Sequence, residues 1–268
     1  MLLLVDLDGV VYRAGEAVPG VADVLLRRAA RGDHIVYVTN NSRSHREQYR
    51  ARLGAMGLPL SEDGIVTAAR ATAVLLAERR PAPELAMVLG GPGLARELRD
   101  VGLRTAAPTE RGLAAAPDVL VVGVDFSLSY RRLSIAAEAV RRGAYFVATN
   151  RDPVYPVPER LTAGAGSMVA AVAVAAGREP DLVVGKPEPR LFEAAAEMAG
   201  VPPSEAVVIG DNLLTDIRAA RAVGARSVLM LTGVTSYEDL AGVAQADQPT
   251  AVARDASELE ARLSDLSD

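Results

Sequence analysis

Met1 to Val10 reads MLLLVDLDGV, and the fold turns on how this stretch is read. Leu2 to Val5 is an unbroken apolar run, the pattern of a strand buried on both faces in a parallel sheet. The run stops at Asp6, and Asp8 and Gly9 follow. Open α/β sheets bind ligands outside the carboxyl ends of their strands. Two carboxylates at such an end repel each other unless a cation or a shared proton intervenes. A divalent metal meets that need, because hard cations take oxygen ligands. A solvated Asp-Leu-Asp-Gly turn is the competing reading.

Outward from this strand the chain alternates. Val21 to Ala30 has helical apolar spacing and closes at Gly32. Ile35 to Val38 is a second buried strand that runs into Thr39-Asn40-Asn41-Ser42. Ser44 to Met56 reads as a polar-faced helix, Ile65-Val66 as a short strand, and Thr67 as the N-cap of a helix through Ala77. This order implies a parallel sheet with right-handed connections. Arg79-Arg80-Pro81-Ala82-Pro83 reads as a linker, and a second alternation begins beyond it. Leu85 to Leu89, Val119 to Val122 and Tyr145 to Ala148 are its strands, and Thr162 to Gly166 is a small-residue loop before the helix Ser167 to Ala176. Leu182 to Val184 begins the return to the first pattern. Ala206 to Ile209 is then a strand ending in Gly210-Asp211-Asn212, and Thr215 to Val223 is a helix.

Spacing divides the chain. From Asp8 to Thr39 is 31 residues, room for a turn, a helix and a strand. From Thr39 to Lys186 is 147 residues, where a βαβ connection needs about 30. The expected division is a core in 1–79 and 181–268 with an α/β domain inserted at 80–180.

Composition excludes several classes. The 268 residues are half apolar and contain no cysteine, hence no disulfide, thiolate nucleophile or cysteine-bound metal. Two histidines, His34 and His45, cannot build a zinc site by themselves; His34 is expected on a loop before a strand and His45 on a solvated helix face. A net charge of −5, no basic block, three Phe and no Trp argue against a nucleic-acid surface. The apolar start is too short for a signal peptide and no stretch suits a membrane span, so the expected location is cytoplasmic. Of the 29 basic residues 28 are arginine and one is lysine, Lys186. That singles out Lys186 as a place where a compact ammonium is needed and a planar fork does not fit. The pairs Arg27 and Arg28, Arg131 and Arg132, and Arg141 and Arg142 read as solvated helix faces. Arg43 leaves two readings open, an anionic-substrate contact and a solvated surface.

Strand ends thus carry complementary groups: Asp6 and Asp8; Thr39, Asn40 and Asn41; Asp211, with Asp216 five residues on; and Lys186. In a parallel sheet such ends lie on one edge. The acids suit Mg²⁺, and the hydroxyl, amides and ammonium suit phosphate oxygens. An Asp carboxylate is a competent nucleophile toward phosphorus, and a second acid can protonate the leaving alkoxide and then activate water.

The set DLDGV, VTNNS, VVGKP and VIGDNLLTDI resembles the four motifs of the haloacid dehalogenase (HAD) superfamily, in order and over nearly the whole chain. It is similar in particular to the class IIA (NagD-like, nitrophenylphosphatase-like) phosphatases. The resemblance implies an α/β fold with a HAD-type Rossmann-like parallel-sheet core and an inserted α/β cap domain of the C2 type. It implies Asp6 as nucleophile and Asp8 as acid/base, with Mg²⁺ held by Asp6, the backbone carbonyl of Asp8, and Asp211. Thr39, Asn40 and Lys186 would bind phosphate, and Gly9, Asn212 and Asp216 would support the metal site from behind. Asn41, Asn150, Asp152 and Tyr155 are candidate substrate contacts, alongside the reading of an ordinary polar turn at 150–155.

The implied partner is a small phosphate ester, with no nucleic acid and no membrane, and homodimerisation through the cap follows from the resemblance alone. Members of the class hydrolyse glycerol phosphate, phosphoglycolate, pyridoxal phosphate, nucleotides or nitrophenyl phosphate. Tyr155 stands where a pyridoxal phosphatase is expected to have histidine, which favours a polyol or sugar phosphate such as glycerol phosphate. A phospho-accepting signalling receiver shares the acids, Thr and Lys, but is about half this length and lacks an inserted domain. A phosphosugar mutase would carry its cap after the first motif, where 31 residues leave no room.

Overall fold

Leu2–Asp6 is a strand buried along its whole length, as its apolar run requires. It is central in a six-stranded sheet, ordered Ala251–Ala253, Arg226–Met230, Ala206–Gly210, Leu2–Asp6, His34–Thr39, Ile65–Thr67. The strand pairs in parallel with Ala206–Gly210 on one side and His34–Thr39 on the other. Chain order reverses at this strand, and such a switch point opens a crevice at the carboxyl edge of an α/β sheet. The structure, a computed structural model, describes residues 1–13, 15–157 and 160–267.

The chain divides into two units. The first comprises Met1–Thr39, Glu47–Val66 and Lys186–Asp268, and the second Asn40–Arg46 and Thr67–Gly185. The first unit's core is built on Leu3, Val5, Leu25, Tyr37, Leu53, Ile209, Met230 and Leu259. The second unit holds a five-stranded parallel sheet, ordered Leu182–Val183, Tyr145–Ala148, Val119–Val122, Leu85–Leu89, Arg104–Ala106. Its core includes Met87, Leu89, Val122, Phe146, Val169 and Val172. A hairpin, Val154–Val157 with Arg160–Ala163, belongs to this unit.

Several expectations change. Leu182–Val183 does not open the return to the first unit: it pairs with Tyr145–Ala148 at the edge of the second sheet, and the return begins at Lys186. Thr67 caps its helix as read, accepting from the Arg70 N–H at 3.0 Å, but the helix Ala68–Glu78 lies in the second unit. His45 is buried, not solvated, because two acids draw it inward. His34 opens a strand rather than preceding it. Arg28 is buried as well, its guanidinium paired with Asp33 at 2.5 Å. Apolar periodicity cannot foresee an inward charge whose partner lies outside the helix. No helix among the described residues is long and apolar enough to cross a membrane.

Candidate active site

The strand Leu2–Asp6 ends where its carboxylate leaves the sheet, and Asp6 stays 7% exposed. The chain then turns tightly: Val11 and Tyr12 N–H groups both donate to the Leu7 carbonyl, at 2.9 and 3.2 Å, and the Gly9 N–H to the Tyr12 carbonyl at 2.7 Å. Gly9 adopts φ +82°, which a side chain would resist, and a Cβ there would overlap the Asp211 carboxylate. The neighbouring strand ends at Gly210, so Asp211 emerges at the same edge, also buried. Thr39 ends the strand on the other side and is buried.

Asp216 reaches this edge by a local irregularity. Leu213–Ile217 is a π-helical turn, with both the Asp216 and Ile217 N–H groups donating to the Asn212 carbonyl, at 2.9 and 3.2 Å. Such turns recur at functional sites because they re-aim one side chain. The expected regular helix from Thr215 is therefore corrected: the α-helix spans only Arg218–Ala222. The Asn212 side chain caps the turn by accepting from the Leu214 N–H at 2.9 Å. Asp216 is buried; one oxygen takes the Asn212 N–H at 3.2 Å and the other takes Lys186.

Lys186 links the acids. Its Nζ donates to Asp6 Oδ1 at 2.7 Å and to Asp216 Oδ1 at 2.6 Å, and the residue is 3% exposed. Asp6, Asp211 and Asp216 each present a carboxylate oxygen within 4.8 Å of the others. Burial alone would lower the Lys186 ammonium, but the carboxylates of Asp216 and Asp6 outweigh it and hold the group firmly protonated. Burial pushes the Asp6 carboxyl well up, against Lys186 and with help from Asp216 and Asp211. Burial and the Asp216 charge lift Asp211 to about 6. Three buried carboxylates thus share one ammonium, leaving about two uncompensated negative charges when all are ionised. An oxygen-ligated divalent cation matches that deficit and that donor set.

Asp8 opens to solvent, yet the protein mass around its carboxyl raises it, against the opposing pull of Arg52 and Lys186. The Arg52 guanidinium lies over the Tyr12 ring, 3.7 Å from its centroid.

Of the predicted site residues, Asp6, Asp211, Asp216 and Lys186 come together in the first unit. Asp8, Gly9, Thr39 and Asn212 also lie in the first unit, whereas Asn40, Asn41, Asn150, Asp152 and Tyr155 lie in the second. Asn40 Nδ2 donates to both Asp152 oxygens at 3.1 Å, and Asn150 Nδ2 to the Asn40 carbonyl at 2.7 Å. Asn41 Nδ2 donates to the Tyr155 hydroxyl at 3.0 Å. Arg43 is half-buried, and its guanidinium lies over Phe126, 4.5 Å from the ring centroid. Sequence reading missed Thr232, Gly233 and Val234, whose loop leans on Asp211: the Val234 N–H donates to Asp211 Oδ2 at 2.6 Å. Their only signal was position, just past a strand adjacent to Ala206–Gly210.

Comparison with known proteins identifies the chain's relatives. A haloacid dehalogenase-like hydrolase model matches residues 3–104 and a HAD-hydrolase-like model matches residues 183–259. The chain is 39% identical to chronophin of Homo sapiens over 246 residues, covering 88% of this chain and 83% of that one. It is 35% identical to the acid sugar phosphatase of Staphylococcus epidermidis over 239 residues, covering 88% of each. Among solved structures, a p-nitrophenyl phosphatase from Archaeoglobus fulgidus superposes with a TM-score of 0.88 at 30% identity, covering 97% of this chain and 98% of that one. NagD from Escherichia coli gives a TM-score of 0.85 at 29% identity, covering 96% of each chain. A glycerol phosphate phosphatase of Mycobacterium tuberculosis in complex with magnesium gives 0.85 at 35%, covering 96% and 75%. With its Rossmann-like core and inserted α/β domain, the chain belongs to the haloacid dehalogenase-like hydrolases, among the class IIA, NagD-like phosphatases.

Proposed function

We propose that the protein hydrolyses small phosphate monoesters through an aspartyl-phosphate on Asp6, with Mg²⁺ bound by Asp6, the Asp8 carbonyl and Asp211. The observation that carries this reading is Lys186 bridging Asp6 and Asp216 beside Asp211, one cation among three buried acids. Bound there, Mg²⁺ would supply positive charge between the nucleophile and the phosphoryl oxygens.

The residues then have distinct tasks. Lys186 holds Asp6 by one oxygen, so that the other faces phosphorus. Thr39 and Asn40 present a hydroxyl and amides to the phosphate oxygens. Asp6 attacks phosphorus in line with the ester oxygen; a carboxylate O–P bond forms and the P–O bond to the alcohol breaks. Asp8 gives its proton to the departing alkoxide. Its carboxyl, already lifted by its surroundings, is suited to hold that proton. Asp8 then takes a proton from water, whose oxygen attacks the phosphoryl group, releasing inorganic phosphate and restoring Asp6. Asp216, bound to Lys186 and to the Asn212 N–H, keeps the ammonium in place.

The substrate we favour is a sugar or polyol phosphate such as glycerol phosphate. Support comes from the relatives, an acid sugar phosphatase and a glycerol phosphate phosphatase. Asn41, Asn150, Asp152 and Tyr155 offer only neutral or acidic polar groups, which suit hydroxyls. We also read the inserted domain as a cap that excludes water and selects the leaving group, and we take the protein to act in the cytoplasm.

A phosphate-release screen over phosphorylated metabolites, with Mg²⁺ and with chelator, tests this reading. Multiple turnover with Mg²⁺, fastest on a polyol or sugar phosphate and abolished by chelator, is expected. A stable phosphoprotein without turnover would overturn the enzyme; equal rates after metal removal would overturn the metal.

A further inference from the structure

We infer that the loop Thr232–Thr235 is a spacer that fixes Asp211 against the Asp6–Gly9 turn and thereby sets which divalent cation the acid cage accepts. The inference rests on the metal reading above. The loop follows the strand Arg226–Met230, which pairs with Ala206–Gly210 in the register Gly210 to Leu229, so it starts beside Asp211.

Four bonds tie it down. The Val234 N–H donates to Asp211 Oδ2 at 2.6 Å, and the Thr235 N–H to the Asp211 carbonyl at 3.1 Å. The Thr235 hydroxyl accepts from the Leu213 N–H at 3.2 Å. The Thr232 hydroxyl donates to the Gly9 carbonyl at 2.5 Å. The loop therefore grips both acid-bearing turns, that of Asp8-Gly9 and that of Asp211-Asn212-Leu213.

Packing closes the remaining freedom. Gly9 and Gly233 both lie against the Asp211 carboxylate, and a Cβ on either would overlap Oδ2. Two glycines and one N–H thus crowd that oxygen. Val234 turns its side chain outward, 72% exposed, so this residue contributes its main-chain N–H and not its side chain.

A carboxylate with no room to swing suits an ion that demands regular geometry. Mg²⁺ requires a near-ideal octahedron with oxygens at about 2.0–2.1 Å, whereas Ca²⁺ accepts irregular ligands at about 2.3–2.6 Å. Loosening the spacer should therefore cost Mg²⁺ more than Ca²⁺. Outer partners of metal ligands are typically worth 10–100-fold in affinity.

The test is direct ion binding to the full chain by calorimetry, with Mn²⁺ binding by electron paramagnetic resonance and Mg²⁺ and Ca²⁺ as competitors. Gly233→Ala is expected to weaken Mg²⁺ about 10-fold and Ca²⁺ no more than about 3-fold. Thr232→Val should weaken Mg²⁺ by about 10-fold, and Thr232→Ser should restore it, because only the hydroxyl is needed. If Gly233→Ala does not fold, the Thr232→Val and Thr232→Ser pair carries the test. Folded loop variants with unchanged Mg²⁺ affinity, or with equal losses for both ions, would overturn the spacer. Mn²⁺ binding equal in the wild type and Asp211→Asn would instead overturn the metal reading on which it stands.

Discussion

Two clusters in this molecule pass the same geometric test for a metal site, and only one has the charge for it. Asp6, Asp211 and Asp216 in the first unit bring carboxylate oxygens within 4.8 Å of one another, and so do the ligand atoms of His45, Glu97 and Asp100 in the second. In the first cluster a single ammonium, Lys186, serves three buried acids. In the second, Arg46 pairs with both acids, with Glu97 and with Asp100 at 3.0 Å. Its main-chain N–H donates to Glu97 at 2.8 Å, and His45 Nε2 sits 2.9 Å from Asp100. Glu97 is fully buried and satisfied. The comparison teaches that charge balance, not proximity, separates a cation cage from an ion-pair network.

The largest expected break falls on the first cluster. Asp6→Asn removes the nucleophile and should lower phosphate release at least ~1,000-fold, measured as kcat on the best substrate of the screen. Lys186→Arg comes next, at ~100-fold. Arginine keeps the charge, but its planar fork cannot take the place of one compact Nζ between Asp6 and Asp216. Near-wild-type activity in Lys186→Arg would refute the argument from the solitary lysine.

The first cluster was largely legible in the sequence, and the second was not, for a physical reason. Asp6, Thr39 and Asp211 stand where apolar strands stop, so the pattern that predicts the strand also places the polar group at its end. Lys186 stood out because every other basic residue is arginine. The His45 network has no such marker. Glu97 lies inside the amphipathic helix Pro92–Asp100, and its partner Arg46 is 51 residues away in the chain. Helical periodicity assigns a charged residue to solvent unless a distant partner is known. Nor could the sequence foresee that Asn40–Arg46 belongs to the second unit, because its partners, among them Asp152 and Tyr155, are more than 100 residues away in the chain. The π-helical turn at Leu213–Ile217, whose Asp216 bonds Lys186 and the Asn212 N–H, has no marker in the helical pattern either.

Arg46→Met should sharpen the contrast by leaving Glu97 buried without its guanidinium. Removing one partner of a buried pair costs about 3 kcal/mol or more, which for a protein of this size is about 6–12 °C in Tm. Calorimetry should record that loss, while the number of Mn²⁺ ions bound per chain stays as in the wild type. A second ion bound by the variant would mean that Arg46 had been holding the place of a metal.

Asp100→Asn is the smallest effect and the one with a signed dependence on pH. Burial pushes the Asp100 carboxyl up, but the hydrogen bond to His45 and the charge and hydrogen bonding of Arg46 outweigh it and hold the group below the usual carboxylate range. An acid held low in the folded state binds its proton more readily unfolded, so its contribution to stability is full above the unfolded value, ~3.9. It is lost as pH falls through the lower folded value. Asp100 is partly solvated, its side chain 29% exposed, so the pair is worth at most about 1 kcal/mol at neutral pH. The Tm of Asp100→Asn should therefore sit slightly below that of the wild type at pH 7, and the gap should close on acidification below about pH 4. A carboxylate in a metal cage behaves in the opposite sense, since removing it relieves repulsion when no ion is bound. A variant more stable than the wild type at neutral pH would place Asp100 in that class and dissolve the distinction between the two clusters.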